Sequence, residues 1–239
     1  MMNSEARFLP RWQLEGVSGV IVAVDVLRAF TTAAYALAAG AASILLVSGV
    51  DEAIALAKAH PGSLIMGEEH GRRPIGFDLS NSPVAVAGAD VAGRTLVQRT
   101  SAGTQGVIAA TGADRLFVAS LVCASATARA VSAARLGAPT YVITGRFVDH
   151  PDGGEDDLIT AQFIEDLRTA GSADAASAAR AVADSAEAER TLALGGNDSH
   201  PDDIAYATDV DRFDFAMEVE RGDGLHRVVT RYLEETGTQ

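Results

Sequence analysis

Short, unbroken apolar runs alternate with longer alanine-rich stretches, and this alternation limits the folds open to the chain more than any other feature. Val20–Val24 (VIVAV) and Ser43–Val47 (SILLV) read as strands, as do residues 64–66, 94–98, 115–118 and 140–143. Between them, helices are expected over residues 31–39, 51–60, near 106–111 and over 124–136. Gly40 is placed to end the first, Asp51 to cap the second, and Pro61-Gly62 to stop it. Strands that stay apolar along their length are covered on both faces, and intervening helices bring each next strand in parallel. The pattern predicts a three-layer α/β fold with a mostly parallel sheet, built as two α/β lobes with the site between them. Ligands in such sheets sit outside the carboxyl ends of the strands, and Asp25, directly after VIVAV, lies at that end.

The texture changes from Glu155. Residues 155–170 read as an amphipathic helix, followed by an Ala/Ser-rich helical stretch to about 194. GGNDSHPDD (195–203) is a loop leading into a short helix, and DFAMEV and HRVVTRYL close the sequence. No Pro- or Ser-rich linker and no internal repeat interrupts it, so residues 1–239 are expected to form one domain with at most a soft division into lobes.

The formal net charge is −13, and Lys58 is the only lysine. Nucleic-acid binding depends on clustered basic residues that neutralise phosphates, and an acidic surface is repelled by anionic membranes. Neither nucleic acid nor membrane is therefore expected as a partner. Cys123 is the only cysteine, so no intrachain disulfide or Cys-based zinc cluster can form. MMNSEARFLPRW has no apolar core of signal-peptide type, and no run of about 18 apolar residues follows. A soluble, cytoplasmic protein is expected, and the sequence leaves open whether copies associate as a homo-oligomer.

Four polar segments follow or flank the strands: DVLRAFTT (25–32), GEEHGRRPIGFDLSNSP (67–83), RTSAGTQG (99–106) and TGRFVDHPDGGEDDL (144–158). Taken singly, each has an ordinary structural reading. Asp25 could cap the next helix, Glu68 and Glu69 could be solvated loop charges, and the 155–157 carboxylates could complement a helix dipole. TSAGTQG could be a plain strand–helix turn, or its N–H groups and hydroxyls could cradle an anion; it is not a P-loop. Convergence favours a site. Arg28, Arg72, Arg73, Arg99 and Arg146 fall in or beside these turns, and arginine suits bidentate recognition of phosphate or sulfonate. Asp25, Glu68, Asp78, Glu155 and Asp156 share the same turns, and hard oxygen donors of this kind hold Mg²⁺. Together they suit phosphoryl transfer. Leu27 stands where a haloacid-dehalogenase-type phosphatase would need a second aspartate, and Cys123 in LVCASA reads as a buried structural thiol rather than a nucleophile.

In this order and spacing, VDVLRAFTT, GEEHGRRPIGFDLSNSP, RTSAGTQG, GEDDL and HPDDIAYA resemble the 2-phosphosulfolactate phosphatase family over about residues 15–235. The resemblance implies a Mg²⁺-dependent phosphatase that takes phosphate from 2-phosphosulfolactate, a small anionic substrate on the route to coenzyme M. It implies that Asp25, Arg28, Glu68, Asp78, Asn81, Thr100, Gly103, Thr104, Glu155 and Asp156 belong to the site; on chemical grounds Asp25 and Arg28 are expected to carry catalysis, with Arg28, Asn81, Thr100, Ser101, Gly103, Thr104 and Arg146 on the substrate. Asp25, Glu68, Asp78, Glu155 and Asp156 would be on the metal. Two positions depart from the family pattern: Ala102 stands where an asparagine is typical before Gly103-Thr104, and Cys123 where an asparagine precedes Ala124-Ser125. A site built to bond a particular polar group selects through those bonds, so the substrate is expected to be either phosphosulfolactate or another phosphorylated hydroxy acid. A third expectation is an anion-binding module without turnover.

Overall fold

Val20–Val24 forms β2, buried at every residue, as a β-branched run must be when both faces of a sheet are covered. In the computed structural model, which describes residues 5–232, it is preceded by the short β1 (Arg7–Leu9). It leads into α1 (Ala29–Ala38), β3 (Ser43–Val47), α2 (Val50–Ala59), β4 (Leu64–Gly67), β5 (Leu79–Ser80) and α3 (Pro83–Ala87). Next come β6 (Thr95–Arg99), α4 (Gly103–Ala109), β7 (Arg115–Ala119), α5 (Ala124–Ala134) and β8 (Thr140–Ile143). Four helices, α6 (Glu155–Ala170), α7 (Ala175–Ala183), α8 (Ala186–Leu194) and α9 (Asp203–Ala207), precede the hairpin β9 (Ala216–Gly222) and β10 (Leu225–Arg231).

All ten strands join in one sheet, in the order β1-β8-β2-β7-β9-β10-β3-β6-β4-β5. The first four are parallel to one another, and so are the last four. The β9–β10 hairpin lies between these halves, antiparallel to β7 on one side and to β3 on the other. The expected lobes are thus halves of a continuous sheet, and three antiparallel steps set them running in opposed directions. Strands in a sheet rotate by roughly 20–25° per step. Over the steps from β2 to β6 this accumulates to more than ~100°, which turns the carboxyl ends of the two halves towards each other. Asp25 after β2, Glu68 after β4, Ser101 in the turn after β6 and Gly145 in the turn after β8 line the same cavity.

The alanines of α1 let it sit close under the concave face. Ala29, Phe30, Ala33 and Leu37 pack with Ile21 of β2, Ile44 of β3, Leu116 of β7 and Met217 of the hairpin. On the opposite face, α5 and α6 cover the first half through Val131 and Ile164, against Val22, Phe117 and Tyr141. There α2 covers the second half through Ala53, on Val47, Ile65 and Val97. Burial of this kind contributes roughly 25 cal/mol per Å² of apolar surface, so both faces stabilise the sheet.

Several local details differ from expectation. The cap of α2 is made by Glu52, not Asp51: Glu52 Oε2 accepts from the Ser48 N–H (2.9 Å), the Ser48 hydroxyl (2.8 Å) and the Gly49 N–H (3.3 Å). Asp51 only contributes charge to the first turn. The Ala/Ser-rich stretch divides into α7 and α8 because Asp174 and Ser185 each accept an N–H from the third residue on and start a new helix. Among the described residues, no helix is long and apolar enough to cross a membrane.

Candidate active site

Asp25 sits at the start of α1 and at the wall of a cavity. Its Oδ1 accepts the Ala29 N–H at 2.8 Å and its backbone carbonyl accepts the Phe30 N–H at 3.0 Å, so it begins α1. The same carboxylate lines a cavity of about 800 Å³. Its Oδ2 lies 3.3 Å from the Thr144 hydroxyl, which is also 2.9 Å from the Val24 carbonyl and 3.2 Å from Asp157 Oδ2. One hydroxyl proton cannot serve three acceptors. Burial pushes the Asp25 pKa up to about 6; the charge of Glu68 adds to this, and donors at Ala29, Thr144 and Gly103 oppose it. A carboxyl in this range can hold or release a proton near neutral pH.

Glu68 follows β4 across Gly67, whose backbone lies so close to the Arg99 carbonyl that no side chain fits there. Both Glu68 oxygens are occupied: Oε1 accepts the Ser101 N–H at 2.5 Å, and Oε2 accepts the Gly71 N–H at 2.6 Å and the Ser101 hydroxyl at 3.0 Å. Glu68, Ser101 and Arg99 thereby tie the β4 and β6 turns together on the cavity wall.

Arg28 is buried yet lines the cavity. Its Nη1 donates to Asp203 Oδ2 at 2.7 Å and to the Asp198 carbonyl at 2.8 Å, leaving Nε and Nη2 without a protein acceptor. Asp203, from the HPDD segment, is fixed in turn by the Ser82 hydroxyl at 2.6 Å and the His200 N–H at 2.9 Å. Asn81, next to Ser82, is buried at the cavity wall with Oδ1 unpartnered.

The remaining candidates separate. Ser101 lines the cavity, and Gly103 presses on Asp25: a Cβ there would stand 2.7 Å from Asp25 Oδ2. Thr100 and Thr104 are fully occupied with each other, the Thr100 N–H donating to Thr104 Oγ1 at 2.9 Å and the Thr104 N–H to Thr100 Oγ1 at 3.0 Å. They shape the turn and do not face the cavity. Asp78 is exposed and lies in a different pocket, where Oδ2 accepts the Ile65 N–H at 2.8 Å. Glu155 is exposed, whereas Asp156 and Asp157 are buried. Arg146 is outside the cavity lining, with a buried, unpartnered Nε, although its neighbours Gly145 and Phe147 line it.

The acidic edge is therefore Asp156, Asp157 and a residue the sequence reading missed, Glu187 of α8. Asp157 clamps β2 to β8 by accepting the Val26 N–H at 2.9 Å and the Gly145 N–H at 2.8 Å. Asp156 feels the charges of both Glu187 and Asp25. Burial, then those two charges, hold its pKa well above the ordinary carboxylate range, and burial with Asp156 and Asp25 does the same for Asp157. Glu187 lines the cavity; its Oε1 takes the Gly154 N–H (3.0 Å) and Arg190 (2.6 Å), and its buried Oε2 has no partner. Arg11, in the turn after β1, also lines the cavity and was likewise missed.

Among the described residues, no three His, Cys, Asp or Glu side chains already converge as a metal cage. Mg²⁺ needs none, since it keeps several waters and takes one or two carboxylates plus substrate oxygens. Asp25, Glu68 and the unpartnered Glu187 oxygen share the cavity wall. Burial and, after it, neighbouring carboxylates raise the pKa of Asp25 and Asp156, and a cation relieves the like-charge part. These hard oxygen donors fit such an ion. Of the two departures from the family pattern, Ala102 lines the cavity, while Cys123 is fully buried in the core. Burial raises the Cys123 thiol pKa, which suits an inert structural cysteine.

A family model described as 2-phosphosulpholactate phosphatase matches residues 9–222. The probable 2-phosphosulfolactate phosphatase of Bacillus subtilis (strain 168) is 36% identical over 213 residues, 89% of this chain and 91% of that protein. The probable 2-phosphosulfolactate phosphatase of Carboxydothermus hydrogenoformans is 39% identical over 127 residues, 53% of this chain and 52% of its own. That of Deinococcus radiodurans is 45% identical over 111 residues, 46% of each chain. The family match runs through all four turns that build the cavity, and the chain belongs to the 2-phosphosulfolactate phosphatase family.

Proposed function

We propose that this protein is a Mg²⁺-dependent phosphatase that hydrolyses a small anionic phosphoester, 2-phosphosulfolactate, to sulfolactate and phosphate, acting in the cytoplasm. The observation that carries the reading is geometric: the buried carboxylate of Asp25 shares one cavity with the buried guanidinium of Arg28 and with Arg99. Asp25 takes a proton from the attacking water as its oxygen bonds to phosphorus. The ester P–O bond then breaks, and the leaving alkoxide recovers a proton, so the net change is addition of one water. Arg28, with Nε and Nη2 uncommitted, directs charge-assisted hydrogen bonds at the phosphoryl oxygens, and Asp203 keeps the guanidinium from swinging away. Asn81 offers its amide to the same substrate. One or two of the carboxylates Asp25, Glu68 and Glu187, with substrate oxygens, would hold Mg²⁺, which when bound would supply Lewis-acid polarisation of the phosphoryl group.

The test is phosphate release from a panel of phosphorylated hydroxy acids, with Mg²⁺ and after chelation. The expected result is Mg²⁺-dependent release, greatest from phosphosulfolactate, with Asp25→Asn slower by about 100-fold or more. Full activity of Asp25→Asn, or no release from any ester, would refute the proposal. One observation favours a second reading, a phosphatase for a different phosphorylated hydroxy acid. Ala102 removes an amide from the cavity wall itself, and preference for another panel member would establish that reading.

A further inference from the structure

We infer that Arg11 reads a second anionic group on the substrate, a carboxylate or sulfonate beside the phosphate; the inference rests on the phosphatase reading above. Four arginines line the cavity: Arg11, Arg28, Arg99 and Arg190. Three already face a carboxylate, Arg28 with Asp203 at 2.7 Å, Arg99 with Glu69 at 3.1 Å and Arg190 with Glu187 at 2.6 Å. Among the described residues Arg11 has no carboxylate within ion-pair distance; Asp149, which lines the same cavity, acts on its charge only from farther away. It is nevertheless held in place. Its guanidinium lies over the Phe147 ring at 4.7 Å, and its Nη1 donates to the Ser101 carbonyl at 3.3 Å. These contacts fix the plane and one corner of the group, and Nε and Nη2 have no protein acceptor.

A planar guanidinium with an uncommitted edge matches two oxygens of a carboxylate or sulfonate. Stacking on an aromatic face removes part of the ordering that binding would otherwise require. The position suits a second group. Arg28 is anchored on the 198–203 segment, whereas Arg11 is anchored between Ser101 and Phe147, so the two cations hold different walls. Asp25, Glu68, Asp149 and Glu187 line the same space, and a ligand carrying several negative charges needs a cation outside a direct ion pair to enter it. Arg11 selects phosphoesters that carry such a second anion over those that do not.

The test compares kcat/KM of wild type, Arg11→Ala and Arg11→Lys, with circular dichroism to verify folding. Four substrates are used: phosphosulfolactate, 2-phospholactate (carboxylate only), O-phosphoisethionate (sulfonate only) and p-nitrophenyl phosphate (neither). Arg11→Ala is expected to lower the preference for the bis-anionic esters over p-nitrophenyl phosphate by about 10- to 100-fold, mainly through KM. Arg11→Lys should recover part of it, and the single-anion ester with the larger loss identifies the group that Arg11 holds. An equal fall for all four substrates, or an unchanged preference, would overturn the inference while leaving the phosphatase reading intact. If wild type releases phosphate from none of them, the phosphatase reading fails, and calorimetric titration of sulfolactate decides on Arg11. Weaker binding to Arg11→Ala than to wild type would support the anion contact, and absent or equal binding would overturn it.

Discussion

Replacing Gly103 with alanine adds one methyl group at the most crowded point of the site. Its Cβ would stand 2.7 Å from Asp25 Oδ2, 2.8 Å from Ala29 Cβ and 3.2 Å from Asp25 Cβ. Carbon contacts relax at about 3.5–4.0 Å, so Asp25 or α4 must give way by close to 1 Å. Asp25 has little freedom, because Oδ1 is held by the Ala29 N–H at 2.8 Å. Overpacking of this size costs roughly 1–3 kcal/mol, and the gain in helix propensity from glycine to alanine offsets up to ~1 kcal/mol. The net loss of stability is then about 0–3 kcal/mol, a fall in Tm of at most about 12 °C for a chain of this length. Activity should respond far more, because a 1 Å displacement of a catalytic group costs on the order of 100-fold in rate. Phosphate release and a thermal melt on the same preparation measure both. Wild-type turnover by Gly103→Ala, or inactivity accompanied by loss of helical ellipticity, would refute the reasoning.

Two further outcomes follow from the buried charges. The folded pKa of Asp25, about 6, lies above its ordinary 3.8, so the unfolded chain ionises first and stability falls as pH rises from about 4 through 6, by about 3 kcal/mol. In metal-free protein, urea titrations should show Asp25→Asn gaining on wild type by about that amount across this interval, and a constant difference would count against the shift. Asp203→Asn strips the charge that balances buried Arg28 and should destabilise by about 3–5 kcal/mol. The double variant Arg28→Met/Asp203→Leu should recover most of that stability but no phosphate release; if it stays as unstable as the single variant, the ion pair is not the cause.

The central strands were legible because burial on both faces leaves a continuous apolar run; Val20–Val24, Ser43–Val47 and Thr140–Ile143 end where the sequence indicates. The edge strands Arg7–Leu9 and Leu79–Ser80 were not, since strands of three and two residues carry no pattern to read. Sheet order was hidden for a different reason: the hairpin pairs with strands remote in sequence, and no local signal marks that. At the site, Asp25 and Arg28 could be found because they follow a recognisable strand. Which of Glu155, Asp156 and Asp157 turns inward depends on the rotation of α6, and successive residues on a helix point about 100° apart. Only the last two are buried. Glu187 and Arg11 reach the cavity from an ordinary helical stretch and an irregular turn, where neither spacing nor composition sets them apart.

The β9–β10 hairpin follows every other described element in sequence yet lies in the middle of the sheet. Until it pairs, β7 and β3 expose long unpartnered edges, and each half of the sheet carries only part of the cavity wall. Nascent chains halted before the hairpin would present two sticky half-sheets, the species most prone to pair with one another. The β9–β10 hairpin thus holds the two halves of the sheet together as one surface around the cavity.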